Sequence, residues 1–189
     1  MHACRKPKRY AALFATLGLA AAMAWADFKV TEVLPRFAGQ SLAVSGALEL
    51  GLTAKVEEAL SKGIPIEVII DINLYHMRPL LWDAQIGSWV LRRTISYHAL
   101  SRQYLVTGHR PDPDAIESFT SLQTALANMG LLDDLRLPLS QQLQNELSYY
   151  VDVRASLDID SLPAPLKPVA YTSLAWRLSS GWTQWNVQH

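Results

Sequence analysis

Residues 65–108 constrain the fold more than any other stretch, because their apolar positions recur with the two-residue period of a strand and not with the period of a helix. Ile66, Val68, Ile70, Ile72 and Leu74 fall on one side. Glu67, Asp71, Asn73 and Tyr75 fall on the other, with Ile69 the only aliphatic among them. A long strand with one face in a core is the expectation. After a break, Trp89, Leu91, Arg93, Ile95 and Tyr97 alternate with Val90, Arg92, Thr94, Ser96 and His98, and a short link leads to a strand over residues 103–107. Links this short exclude parallel crossovers, which need a dozen residues or more, so an antiparallel meander is expected.

The flanks add further elements. Residues 28–37 are rich in β-branched and aromatic side chains and carry Pro35 near their end, as an edge strand does. Leu42, Val44, Gly46, Leu48 and Leu50 alternate with smaller or polar residues and predict a second strand. Thr53 is placed to cap a short helix with Val56, Ala59 and Leu60 on one face, stopped by Gly63 and Pro65. Asp112 and Pro113 predict the start of a second helix, whose apolar face is Ile116, Phe119, Leu122, Leu126 and Met129 and whose end is Gly130.

Residues 135–139 predict a short strand broken by Pro138, and residues 141–146 are polar and ambiguous. Residues 149–160 alternate without exception, with Tyr149, Val151, Val153, Ala155, Leu157 and Ile159 inward and Tyr150, Asp152, Arg154, Ser156, Asp158 and Asp160 outward. Pro163, Pro165 and Pro168 predict an extended connection, followed by an alternating strand through Ala170, Thr172, Leu174, Trp176 and Leu178 and a closing strand over residues 182–187. Eight or nine antiparallel strands with two short inserted helices predict a mainly β fold, a β-sandwich; an α+β fold with one curved sheet is the alternative.

The amino terminus has the three parts of a secretory signal: basic Arg5, Lys6, Lys8 and Arg9, an apolar segment over residues 11–23, and Ala24-Trp25-Ala26 before Asp27. The apolar segment falls short of the roughly 20 residues that span a bilayer. Cleavage after Ala26 is expected, with a retained anchor as the alternative, and residues 27–189 then form one domain. Cys4, the only cysteine, leaves with the signal. The whole chain balances 17 basic against 17 acidic residues, and removing those four cations with no acid leaves a mildly acidic domain. Such a surface argues against nucleic acid or an anionic membrane as the main partner. No later segment is apolar and long enough to span. A bacterial periplasm is the expected location.

The sequence holds no Gly-x-Ser-x-Gly, Walker loop, His-Glu-x-x-His or glycine fingerprint, and no cysteine beyond Cys4, so an enzyme is not expected. His76, His98, His109 and His189 stand at no metal-ligand spacing, and no metal or other cofactor is expected. Asp152 lies six residues, about 20 Å along a strand, from Asp158, too far to share a cation with Asp158 and Asp160; with Arg154 between them these acids predict a solvated face. Asp112 and Asp114 lie in a loop. Trp82, Trp89, Trp176, Trp182 and Trp185 are more informative. Trp89 and Trp176 belong to apolar strand faces, whereas Trp182 and Trp185, three apart after Gly181, do not fit strand alternation. These two are the candidate partner or ligand contacts.

The signal and short first strand, Asp71 on the long strand, the run from Tyr149 through Asp152 and Arg154 to Asp158, the Leu162-Pro-x-Pro-Leu166 segment and the Trp176-to-Trp185 close occur together in a family that the chain resembles. This is an uncharacterised family of proteobacterial exported proteins, classed as a domain of unknown function and often encoded beside a membrane sensor histidine kinase. The resemblance covers nearly all of residues 27–189 and transfers no site. It implies a non-enzymatic periplasmic interaction domain, accessory to such a kinase. An envelope glycan or amphiphile module is the second expectation. A hydrolase or metal protein would require His76, His98 and Asp71 or Asp83 to meet.

Overall fold

The computed structural model describes residues 27–109, 112–140 and 147–188. The expected signal, Cys4, the polar segment 141–146 and His189 lie outside them. Strands β1 (Phe28–Ala38) and β2 (Ser41–Leu50) form a hairpin, followed by helix α1 (Ala54–Ser61). Strands β3 (Ile66–His76), β4 (Ala84–His98), β5 (Gln103–Thr107) and β6 (Glu117–Phe119) are then consecutive, and α2 (Leu122–Gly130) leads directly into β7 (Leu131–Pro138). Strand β8 (Tyr149–Leu157), helix α3 (Lys167–Thr172), a 3-10 turn at Leu174–Trp176 and β9 (Thr183–Asn186) complete the described chain.

These strands make two antiparallel sheets: three strands in the order β1-β2-β7, and six in the order β6-β5-β4-β3-β8-β9. The architecture is a β-sandwich, as the alternation predicts, and the antiparallel meander is β3-β4-β5-β6. Ile66 faces Ile95, Asp71 faces Val90 and His76 faces Ala84 across the β3–β4 pair, while Asp71 faces Arg154 across β3–β8. The inner faces of both sheets share one core. Ile66, Val68, Ile70, Ile72 and Leu74 pack with Leu42, Val44, Leu132, Leu137, Val151 and Val153. The sheets also touch at one edge, where Arg36 of β1 bridges Gln188 in parallel and the Gln188 amide donates to Pro35 O at 2.9 Å.

The helices close the core. Thr53 caps α1 as expected, accepting from the Val56 amide, and its hydroxyl donates to Ala175 O at 2.8 Å, which ties the helix to the 3-10 turn. Helix α2 begins nine residues later than Pro113 suggests, at Leu122, because Ser121 provides the cap. Upstream, Asp112 folds its carboxylate onto the Asp114 amide and its carbonyl onto the Ala115 amide, so the segment is spent on a turn. Phe119, expected on the helix, belongs to edge strand β6, and Ile116 is exposed.

The alternating strand expected through Ala170 to Leu178 is instead α3 and the 3-10 turn. Pro168 sits in the first helical turn, where its missing amide costs nothing. Leu174, inward in a strand, is 80% exposed, whereas Ala170, Trp176 and Leu178 are buried. The described residues thus hold three α-helices where two were expected. Tyr150, expected on the wet face of β8, is buried beside Tyr75.

Candidate functional site

The outer face of the six-stranded sheet is assembled by register. Residues of β3 that alternate away from the core stand in line with outward residues of β4 on one side and β8 on the other, so Glu67, Ile69, Asp71, Asn73 and Tyr75 form a central row. Charge is paired along this row. Arg154 places Nη2 2.7 Å and Nε 3.1 Å from Asp71 Oδ2, and Arg92 Nη1 reaches Glu67 at 2.6 Å and Asp158 at 2.8 Å. Asp158 therefore serves an ion pair, on the face where solvated acids were expected.

Aromatic rings share the face. Tyr75 stacks on Tyr150 with centroids 5.2 Å apart and planes 18° from parallel. The Tyr150 hydroxyl donates to Asp83 Oδ2 at 2.9 Å. Burial first, and the neighbouring Asp83 carboxylate second, push the Tyr150 phenol up to about 12. Arg154 also holds Trp182, its guanidinium carbon standing 4.5 Å from the ring centroid. Val90, opposite Asp71, is half exposed.

The two candidate tryptophans part company. Trp182, just before β9, is 47% exposed on this face. Trp185 lies within β9 opposite Val151 and packs partly buried against the core, its Nε1 buried and without a hydrogen-bond partner among the described residues. Trp176 is buried and Trp89 packs partly buried against the core. The histidines do not converge: His76 ends β3 beside Ala84, while His98 ends β4 beyond the Ile66–Ile95 pair, about 45 Å along the same hairpin. His109 donates to or accepts from neither; its Nε2 lies 3.1 Å from Asn128 O, and burial lowers its basicity. Asp71 pairs with Arg154 and Asp83 with Tyr150, so the constellation of His76, His98 and an acid is not assembled. Among the described residues no three His, Cys, Asp or Glu side chains are grouped as metal ligands would be.

A second feature escapes the strand pattern. Between β3 and β4 the turn exposes Leu80 at 95%, Leu81 at 68% and Trp82 at 91%. Several of its polar groups have partners within the protein. The Met77 amide donates to Ser148 O at 3.0 Å, the Arg78 amide to Asp83 Oδ1 at 3.1 Å, the Leu81 amide to Arg78 O at 3.3 Å, and Arg78 Nε to Trp82 O at 2.8 Å. Beside the turn lies an open cleft of about 600 Å³ lined by His76, Met77, Arg78, Pro79, Asp83, Leu147 and Ser148. The signal for this turn was present as three consecutive apolar residues between Pro79 and Asp83, a place where a hairpin connection is ordinarily polar.

No helix of the described residues is long and apolar enough to cross a membrane. Two antiparallel sheets around one core, with a polar and aromatic outer face, define a β-sandwich domain. Residues 26–186 match the family described as Domain of unknown function (DUF4390), and the chain belongs to that family. No curated protein and no solved structure matches it.

Proposed function

We propose that this chain is a non-enzymatic interaction domain of the periplasm that meets a membrane sensor histidine kinase through the outer face of its six-stranded sheet. The observation that carries the proposal is Trp182, half exposed on that face and held by the Arg154 guanidinium. Tryptophan and arginine are the residues in which binding energy concentrates at protein interfaces, and ordering them beforehand lowers the entropy lost on docking. Arg154 is itself fixed by Asp71, so ring and cation are already positioned. Kinase as partner, and periplasm as place, rest on the family resemblance and the signal-like amino terminus.

The test is crosslinking of the chain in its own cells followed by recovery of bound proteins. Recovery of the kinase with the wild type, reduced several-fold by Trp182→Ala, supports the proposal; recovery of no protein with either sinks it. Trp185→Ala is a poor probe of the contact, because that ring packs against the core and its loss acts through folding. A glycan module is supported less well, since neither the cleft beside the β3–β4 turn nor the smaller one beside α1 is lined by tryptophan.

A further inference from the structure

We propose that the β3–β4 turn is a lipid-inserting tip, which seats Leu80, Leu81 and Trp82 in the outer layer of a bilayer with Arg78 at the level of the phosphates. Four observations converge on it.

The turn projects. His76 pairs with Ala84 on one side and Tyr149 on the other, and among the described residues the Met77–Ser148 hydrogen bond is the last beyond that pair, so residues 78–82 extend past the end of the described sheet. Side chains 95% and 91% exposed, as Leu80 and Trp82 are, touch almost nothing of their own molecule. A projecting tip fits a deformable surface better than it fits another folded protein, which would have to supply a matching cavity.

The turn's backbone is satisfied in part from within. An unpaired backbone group is costly in lipid because no water is there to satisfy it. Here the Met77, Arg78 and Leu81 amides and the Trp82 carbonyl all have partners within the protein.

The charges next to the tip suit an anionic headgroup layer. Asp83, exposed and next to the tip in sequence, has both carboxylate oxygens engaged, one accepting from the Arg78 amide and the other from the Tyr150 hydroxyl. Arg78 uses Nε to brace the Trp82 carbonyl, and among the described residues its two terminal nitrogens have no protein partner. A guanidinium with free donors at the base of an apolar tip is complementary to lipid phosphates. An overall acidic surface then matters little, because contact is confined to this end.

Finally, the residue types suit the depths. Leucine belongs in the acyl region, tryptophan at the interface between tails and headgroups, and arginine among the phosphates. The order Arg78-Pro79-Leu80-Leu81-Trp82 supplies each within one turn.

The test uses the full chain and unilamellar phosphatidylcholine vesicles, with and without phosphatidylglycerol. Two readouts are taken: sedimentation with vesicles, and quenching of tryptophan emission by brominated phosphatidylcholine. Leu80→Asp with Leu81→Asp is expected to weaken vesicle binding about tenfold or more, since each leucine contributes a large share of the transferred apolar area. Trp82→Phe removes most of the brominated-lipid quenching, and Arg78→Gln weakens binding several-fold, more with phosphatidylglycerol present. All four residues are exposed or partly exposed, and an unchanged melting temperature confirms that the variants fold. The proposal is overturned by vesicle binding that the double leucine variant leaves unchanged, by quenching that Trp82→Phe leaves unchanged, or by no binding at all. It is equally overturned if the double variant abolishes concentration-dependent self-association, or capture of a protein, in a chain that ignores vesicles.

Discussion

The guanidinium of Arg93 crosses from β4 into the core and donates from Nη1 to Met129 O at 2.5 Å, closing the last turn of α2. The same nitrogen lies 2.7 Å from Leu131 O. Helix carbonyls at the carboxyl end lack intrahelical partners and carry the negative end of the helix dipole, so a cation is suited to the place. The arginine is only 4% exposed, and that burial pulls its guanidinium down to about 10 while the Glu117 carboxylate opposes the fall.

Arg93→Met keeps the apolar stem and removes the donors, leaving two carbonyls to compete for none. The expected loss is about 2 kcal/mol of unfolding free energy, the cost of orphaned buried acceptors less the relief of an unburied charge. Urea unfolding followed by circular dichroism measures it. Equal midpoints for variant and wild type would show that the carbonyls find other donors.

Tyr150 supplies a prediction at the other end of the pH scale. Its folded phenol is raised to about 12, above the ordinary value of 10, so the neutral form is favoured by folding. The stability tied to this group is complete below pH 10 and is lost as pH rises through about 12. Phenolate absorbance should show a late-titrating tyrosine that is absent from Tyr150→Phe. Because burial outweighs the carboxylate as the cause, Asp83→Asn should lower the titration only part of the way towards 10.

Gly130 marks how closely α2 approaches β2. A Cβ built on it would lie 2.0 Å from Leu48 O, a contact with backbone that no rotamer change relieves. Gly130→Ala is expected to cost about 3 kcal/mol through displacement of the helix. Thermal unfolding checks it, with exposed Gly39→Ala as the comparison. Gly39 has open space around its Cβ but a φ of +63°, so its loss is confined to local backbone strain and should be the smaller.

The β3–β4–β8 layer was legible from sequence because two-residue alternation and sheet geometry are the same fact seen twice. Asp71 and Arg154 were both placed outward, and the structure pairs them. The segment from Ala170 to Leu178 misled because a short helix followed by a 3-10 turn also buries Ala170, Trp176 and Leu178. Pro168 was the overlooked signal, since proline fits a first helical turn as well as an extended run. Arg93 was placed on the apolar face, but its partners are carbonyls, which carry no residue identity to read. The exposed Leu80, Leu81 and Trp82 fell in the gap between two strands, where attention to periodicity finds nothing.

Arg154 governs the presentation of Trp182, and the two roles it combines can be separated. Its bond to Asp71 is a half-exposed ion pair, expected to contribute no more than about 1 kcal/mol to stability. Its position over the indole ring fixes where that ring sits. Arg154→Ala should therefore leave the unfolding midpoint nearly unchanged while raising the accessibility of one tryptophan to acrylamide. The gain in quenching should vanish in the Arg154→Ala, Trp182→Phe double variant, which assigns it to Trp182. Asp71→Asn should give a smaller gain of the same kind, because the guanidinium loses its anchor but not its place above the ring. If Arg154→Ala changes neither quenching nor emission maximum, Trp182 is held by its backbone neighbours Gly181 and Thr183, and Arg154 serves only Asp71.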